Sequence, residues 1–180
     1  MDIIRIIEKY YEAGTDVYQL LIKHSRDVAD KALTIAKSHP EMDLDHAFIE
    51  EAAMLHDIGI IFCHAPEIGC HGSFDYVCHG YLGADLLRKE GYPRHALVCE
   101  RHTGTGISLQ TIVEKNLPLP LKDFVPVSLE EQLICFADKF FSKTKPDKEK
   151  DIIKIQTSLQ KHGEDSVLCF NRWLHLFNLS

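Results

Sequence analysis

The sequence predicts an all-α protein, and three observations carry that reading. Apolar residues recur every three or four positions, period-two alternation is missing, and the apolar runs open on capping residues and close on Gly or Pro. With 180 residues, 45% hydrophobic and 26% charged, one compact domain over residues 1–180 is expected, with a core of ordinary size. There is no internal repeat, low-complexity tract or linker.

From Asp2 to Ala13, Ile3, Ile6, Ile7 and Tyr10 fall at helical spacing before Gly14 ends the pattern. Thr15 then caps a longer helix whose apolar stripe runs through Val17, Leu20, Leu21, His24, Val28, Ala32, Ile35 and Ala36, with Pro40 beyond its end. Asp43 or Asp45 caps a third helix with Ala47, Phe48, Ala52, Leu55 and His56 on one face, ending near Gly59. Ile60 to Val77 reads as an irregular loop containing His64, Pro66 and His71. A helix restarts at Cys78 or His79 and ends at Gly91, and Pro93 opens another that runs to about His102. Thr103-Gly104-Thr105-Gly106 follows as a hinge or close backbone approach. Ser108 caps a short helix, and Leu117-Pro118-Leu119-Pro120 forces an extended loop through Pro126, a stiff segment that is a candidate for substrate selection. Ser128 and Glu131 form a capping box at the start of the helix carrying Asp138. Two amphipathic segments, about Asp147 to Lys161 and Glu164 to Asn178, complete the chain as an extension at about 147–178 that needs no catalytic role.

The 20 basic and 27 acidic residues give a net charge of −7, which argues against a broad basic surface for duplex nucleic acid or anionic membrane. Early charges in Met1-Asp2-Ile3-Ile4-Arg5 exclude a signal-peptide core, and no stretch is long and apolar enough to span a bilayer. Cys63, Cys70, Cys78, Cys99, Cys135 and Cys169 form no Cys-x-x-Cys pair, so reduced thiols in a cytoplasmic protein are expected.

Histidine is over-represented, at eleven. His56 and Asp57 adjoin at the end of an Ala- and Leu-rich helix, and a carboxylate beside an imidazole suits a divalent ion; one Asp can bridge two. His24, His79 and His102 fall on separate helices, and Asp138 sits in the apolar run Ile134-Cys135-Phe136-Ala137-Asp138. A buried carboxylate without a partner costs several kcal/mol, so Asp138 needs a cation.

This arrangement resembles the HD-domain metal-dependent phosphohydrolases, whose signature of a His, a later His-Asp pair and a distant Asp reads here as His24, His56-Asp57 and Asp138. Ile58-Gly59 completes the His-Asp-Ile-Gly form of one subgroup. The resemblance runs from about Val17 to Lys143 and is nearest to small stand-alone bacterial or archaeal members, among them relatives that split dinucleoside polyphosphates. It implies a helical bundle of the HD type with a dinuclear centre, His79 and His102 serving the second metal. Ile60 stands where cyclic-dinucleotide phosphodiesterases of the superfamily carry Lys, and their Gly-Tyr-Pro motif is missing, so cyclic di-GMP is not the expected substrate.

The resemblance therefore implies a phosphohydrolase that binds two divalent ions, whether iron, manganese, magnesium, cobalt, nickel or zinc. These would generate a hydroxide for attack on a phosphate ester or anhydride of a nucleotide or related small molecule. Asp57 is the central ligand. Arg101 and Lys139, beside His102 and Asp138, are candidates for binding and stabilising phosphate, and Thr103 offers a hydroxyl to it. His64 and His71 are weaker ligand candidates, and His39, His46, His95, His162 and His175 are read as structural. The alternatives are a non-catalytic module that binds a nucleotide as sensor or regulator, and a helical protein with structural histidines.

Overall fold

The computed structural model describes residues 2–145 and 148–178. Pro146 and Asp147, expected to lead into the C-terminal extension, lie outside the described residues.

α1 (Ile3–Ile7) stops earlier than its periodicity suggested. Beyond it Tyr11 is buried, its hydroxyl donating to the Ile58 carbonyl at 2.7 Å and accepting from the Ile61 amide at 3.1 Å, which draws the chain off the helical path. α2 (Asp16–Ser38) starts at Thr15, whose hydroxyl accepts from the Tyr18 amide, and buries Leu21, His24, Val28, Ala32 and Ile35 along one face. Of the two cap candidates for α3 (His46–Leu55), Asp45 is the one used, accepting from the Phe48 amide at 3.0 Å.

The stretch read as irregular is tied down by short elements. A 3-10 helix over Ile58–Phe62 leads into β1 (His64–Ala65) and β2 (Cys70–His71), an antiparallel pair with His64 opposite His71. α4 (His79–Lys89) and α5 (Pro93–Arg101) pack along each other, and α6 (Leu109–Glu114) follows its Ser108 cap. Gly106 approaches the Val125 backbone so closely that a Cβ there would lie 2.9 Å from the Val125 Cα.

α7 (Leu129–Asp138) begins at Ser128, which accepts from the Glu131 amide at 3.1 Å. The returning carboxylate of Glu131 takes the Val127 amide at 2.8 Å instead of that of Ser128, one residue outside the expected box. α8 (Ile152–Gln160) and α9 (Glu164–Leu176) fold back over α7, where Phe136 meets the rings of Phe140, Phe170 and Phe177 at centroid distances of 5.1, 5.2 and 5.4 Å.

Two apolar clusters result. One joins α2, α3 and α5 to α7, α8 and α9; the other joins α1, the Ile58–Phe62 turn, α4 and α5, with Ile22 packed against both. Among the described residues no helix is long and apolar enough to cross a membrane, and all six cysteines are free thiols.

Candidate metal centre

Helix ends deliver most of the candidate ligands. His24 comes from the middle of α2; His56 caps the C-terminus of α3 and Asp57 follows it; His79 opens α4; His102 caps α5; Asp138 closes α7. A carboxylate at a helix C-terminus faces the negative end of the helix dipole, so helix stability does not explain Asp138. All but Asp138 are buried.

Asp57 stands at the centre, its two oxygens facing different neighbours. Oδ2 lies 3.1 Å from His24 Nε2, 3.0 Å from His56 Nε2 and 2.5 Å from Lys143 Nζ. Oδ1 lies 3.4 Å from His79 Nε2 and 3.3 Å from His102 Nε2. These are ion-pair distances without hydrogen-bond alignment, so both Asp57 oxygens, together with His56 Nε2 and His24 Nδ1, are buried without a hydrogen-bond partner. Polar atoms left this way cost free energy unless something else satisfies them.

The imidazoles are oriented from behind. Nδ1 of His56, His79 and His102 donates to the backbone carbonyls of Ala53 (2.6 Å), Tyr76 (2.6 Å) and Cys99 (2.8 Å). That fixes Nδ1 as a donor and turns Nε2 of each ring inward, the atom that coordinates a metal once it carries no proton. His79 Nε2 and His102 Nε2 stand 3.0 Å apart, two lone pairs that a shared cation would separate. Two groups of atoms can hold a metal ion, His24 with His56, Asp57 and Asp138, and Asp57 with His79 and His102, and Asp57 belongs to both.

The charges favour this arrangement. Burial works to raise the Asp57 carboxyl, but His56 and Lys143 outweigh it and hold the group well below the usual carboxylate range. Asp138 is held low in the same way, burial being overcome by Lys139 and His24. Burial and then the proximity of His102 push His79 down to about 3, so its imidazole is neutral. At His56 burial is outweighed by Asp57 and Asp138, which push it up to about 9, a measure of the pocket's demand for positive charge.

Close packing holds the frame together. Gly59, read from sequence as a helix terminator, has no left-handed φ; it is needed because a Cβ there would meet the His79 carbonyl oxygen at 2.1 Å and the Gly83 amide nitrogen at 2.5 Å. The missing side chain lets the start of α4 press His79 onto Asp57.

Of the phosphate-binding candidates, Lys139 reaches the cluster, pairing with Asp138 Oδ2 at 2.8 Å and the His102 carbonyl at 3.2 Å. Arg101 does not. It points to α7 and pairs with the Glu131 carboxylate at 2.9 and 3.2 Å. Thr103 sits against Gly80 rather than among the ligands. His64 and His71 are exposed on the small hairpin.

The loop 117–126 also differs from expectation. Lys122 pairs with the buried Glu100, Asp123 accepts from the first amide of α6 at 2.7 Å, and Phe124 is buried and bridged to Ile107, so these three residues help to hold the fold. Among the described residues none of this loop lines the cavity beside the cluster; Lys143, Lys150 and residues of α8 do. The extension read as having no catalytic role therefore contributes a wall. Sequence reasoning missed Lys143, and also Tyr76, whose ring lies 4.7 Å from that of His79. Lys143 reaches Asp57 from a turn, where no periodicity marks a facing residue.

A family model for the HD domain matches residues 21–142. The chain is 33% identical over 137 residues to an uncharacterized protein of Methanocaldococcus jannaschii, covering 74% of this chain and 73% of that one. It is 31% identical over 140 residues to a tRNA (cytidine(56)-2'-O)-methyltransferase of Thermoplasma volcanium, covering 77% of this chain and 36% of the methyltransferase. A second methyltransferase of the same name, from Picrophilus torridus, is 32% identical over 124 residues, 68% of this chain and 32% of its own length. The chain thus spans about a third of each methyltransferase. No solved structure matches it.

Proposed function

The chain belongs to the HD domain family, and from that premise we propose that it is a divalent-metal-dependent phosphohydrolase acting on a phosphate ester or anhydride of a nucleotide or related small molecule. One observation carries the reading: both oxygens of the buried Asp57 carboxylate lack hydrogen-bond partners while four histidine Nε2 atoms converge on them. A structural ion-pair network would leave no such orphans.

His24, His56, Asp57 and Asp138 would hold one ion, and His79 and His102 a second that shares Asp57. Divalent ions bound there would activate water and neutralise phosphoryl oxygens. The protein's own part is electrostatic. Lys139 and Lys143 place two ammonium groups beside the carboxylates, where charge-assisted bonds to non-bridging phosphate oxygens are strong. Backbone carbonyls behind three imidazoles hold Nδ1 as the donor and aim Nε2 at the Asp57 carboxylate.

The test is metal analysis of anaerobically purified protein, coupled to a hydrolysis screen against mononucleotides, dinucleoside polyphosphates and sugar phosphates. About two divalent ions per chain and phosphate release that chelation abolishes are expected. Protein without metal affinity and without turnover would overturn the reading. A second reading, a non-catalytic nucleotide-binding regulator, is favoured by the likeness to about a third of two tRNA methyltransferases; nucleotide binding without turnover would support it.

A further inference from the structure

Resting on the phosphohydrolase reading, we infer that the site takes a small phosphomonoester carried on one nucleoside- or sugar-sized unit, and that Lys143, Lys150 and α8 build the wall that selects it. A cavity of about 330 Å³ lies beside the cluster, with His24 and Asp138 in its lining. That is at the low end of the roughly 300–1,000 Å³ of small-molecule sites. One phosphorylated unit fits such a space, whereas two nucleosides joined by a polyphosphate would extend beyond it.

Besides the acidic Glu67 and the ligand candidates His24 and Asp138, the lining has a cationic part and an apolar part. Lys139, Lys143 and Lys150 bring three ammonium groups to it. The first two are paired to Asp138 and Asp57. Lys150 has no carboxylate partner among the described residues; its ammonium is anchored on the Phe141 carbonyl at 2.8 Å and the Lys139 carbonyl at 3.4 Å. Asp138 attracts it without pairing to it, and a phosphate dianion would give it a direct anionic partner. Opposite, Ile155 and Leu159 of α8 offer apolar surface, with Ser158 and His162 adding polar groups. Phosphate at the lysines and an organic body against α8 is the occupancy this division favours. Lys143, Lys150 and α8 all lie beyond residue 142, where the family match ends, so selection rests on residues outside the matched HD segment.

The test uses two variants of the full chain. Ser158 is exposed, so Ser158→Trp narrows the cavity without disturbing the core; Lys150→Met removes the ammonium that has no direct carboxylate pair among the described residues, with a thermal melt to check folding. Calorimetric binding and KM are read with the four common nucleoside monophosphates, glucose 6-phosphate, diadenosine tetraphosphate and inorganic phosphate. Wild-type protein should prefer at least one monophosphate over diadenosine tetraphosphate. Ser158→Trp should weaken that monophosphate about tenfold and leave inorganic phosphate unchanged, while Lys150→Met weakens both. Preference for diadenosine tetraphosphate, no binding of any monophosphate, or unchanged binding in Ser158→Trp would overturn the inference. Hydrolysis of diadenosine tetraphosphate alone would sink this inference and leave the hydrolase reading standing; monophosphate binding with no turnover would do the reverse.

Discussion

Gly59 and Gly83 pass so close that a Cβ on Gly83 would lie 2.9 Å from the Gly59 amide nitrogen, and one on Gly59 would lie 2.5 Å from that of Gly83. The obstacles are backbone atoms, which cannot rotate away. Gly59→Ala should therefore destabilise the fold by about 1–3 kcal/mol through overpacking and weaken metal binding by displacing His79. Thermal melts and metal analysis check this; wild-type values in both would show that the turn and α4 can separate at little cost.

Asp57 is the ligand shared by both candidate groups. Asp57→Ala should abolish metal content and hydrolysis while circular dichroism stays helical. Retained wild-type stoichiometry would show that Asp57 does not bridge.

His79 and His102 belong to the second group alone. Replacing either with Ala should lower metal content from about two toward one per chain, with activity lost. Lost activity at unchanged stoichiometry would instead assign them to phosphate binding or proton transfer.

Lys143 ion-pairs with Asp57 and lines the cavity. Lys143→Met should lower kcat/KM by about 100-fold, the scale of removing one preorganised donor from a developing anion, and leave the protein metal-loaded. Steady-state kinetics alongside metal analysis separate this from loss of the ions.

His39 gives a pH dependence far from the centre. Its Nδ1 contacts the Glu41 carboxylate at 2.8 Å and its Nε2 the Phe177 carbonyl at 3.1 Å. Both partners accept, so the ring is held as imidazolium, and its pKa is raised, first by Glu41 and then by Phe177. A raised folded-state pKa stabilises fully below the unfolded value of about 6.5, and that contribution is lost as pH rises through the folded value. Melting temperature should fall with rising pH across this window in the wild-type protein and fall less in His39→Gln. Parallel curves would remove His39 from the linkage.

Helix starts were legible in the sequence because a cap is a bond across three residues: Thr15, Ser108 and Ser128 act where local reasoning placed them. The candidates His24 and Asp138 were legible for a related reason, since charged or imidazole groups on apolar faces require a partner wherever the helices go, whereas the second-metal role of His79 and His102 came from the family resemblance. What surrounds them was decided in three dimensions. Lys139 and Arg101 each follow or precede a ligand by one residue, yet the turn ending α7 carries Lys139 inward while Glu131 draws Arg101 outward. Gly59 looked like a helix end, and only its contact with α4 shows why no side chain fits. Likewise Lys143 and Lys150 reach the cavity because packing of α8 and α9 on Phe136 and its neighbours folds the extension back over α7. Spacing along one helix reports which residues share a face; which face a distant segment covers depends on long-range burial that no local pattern encodes.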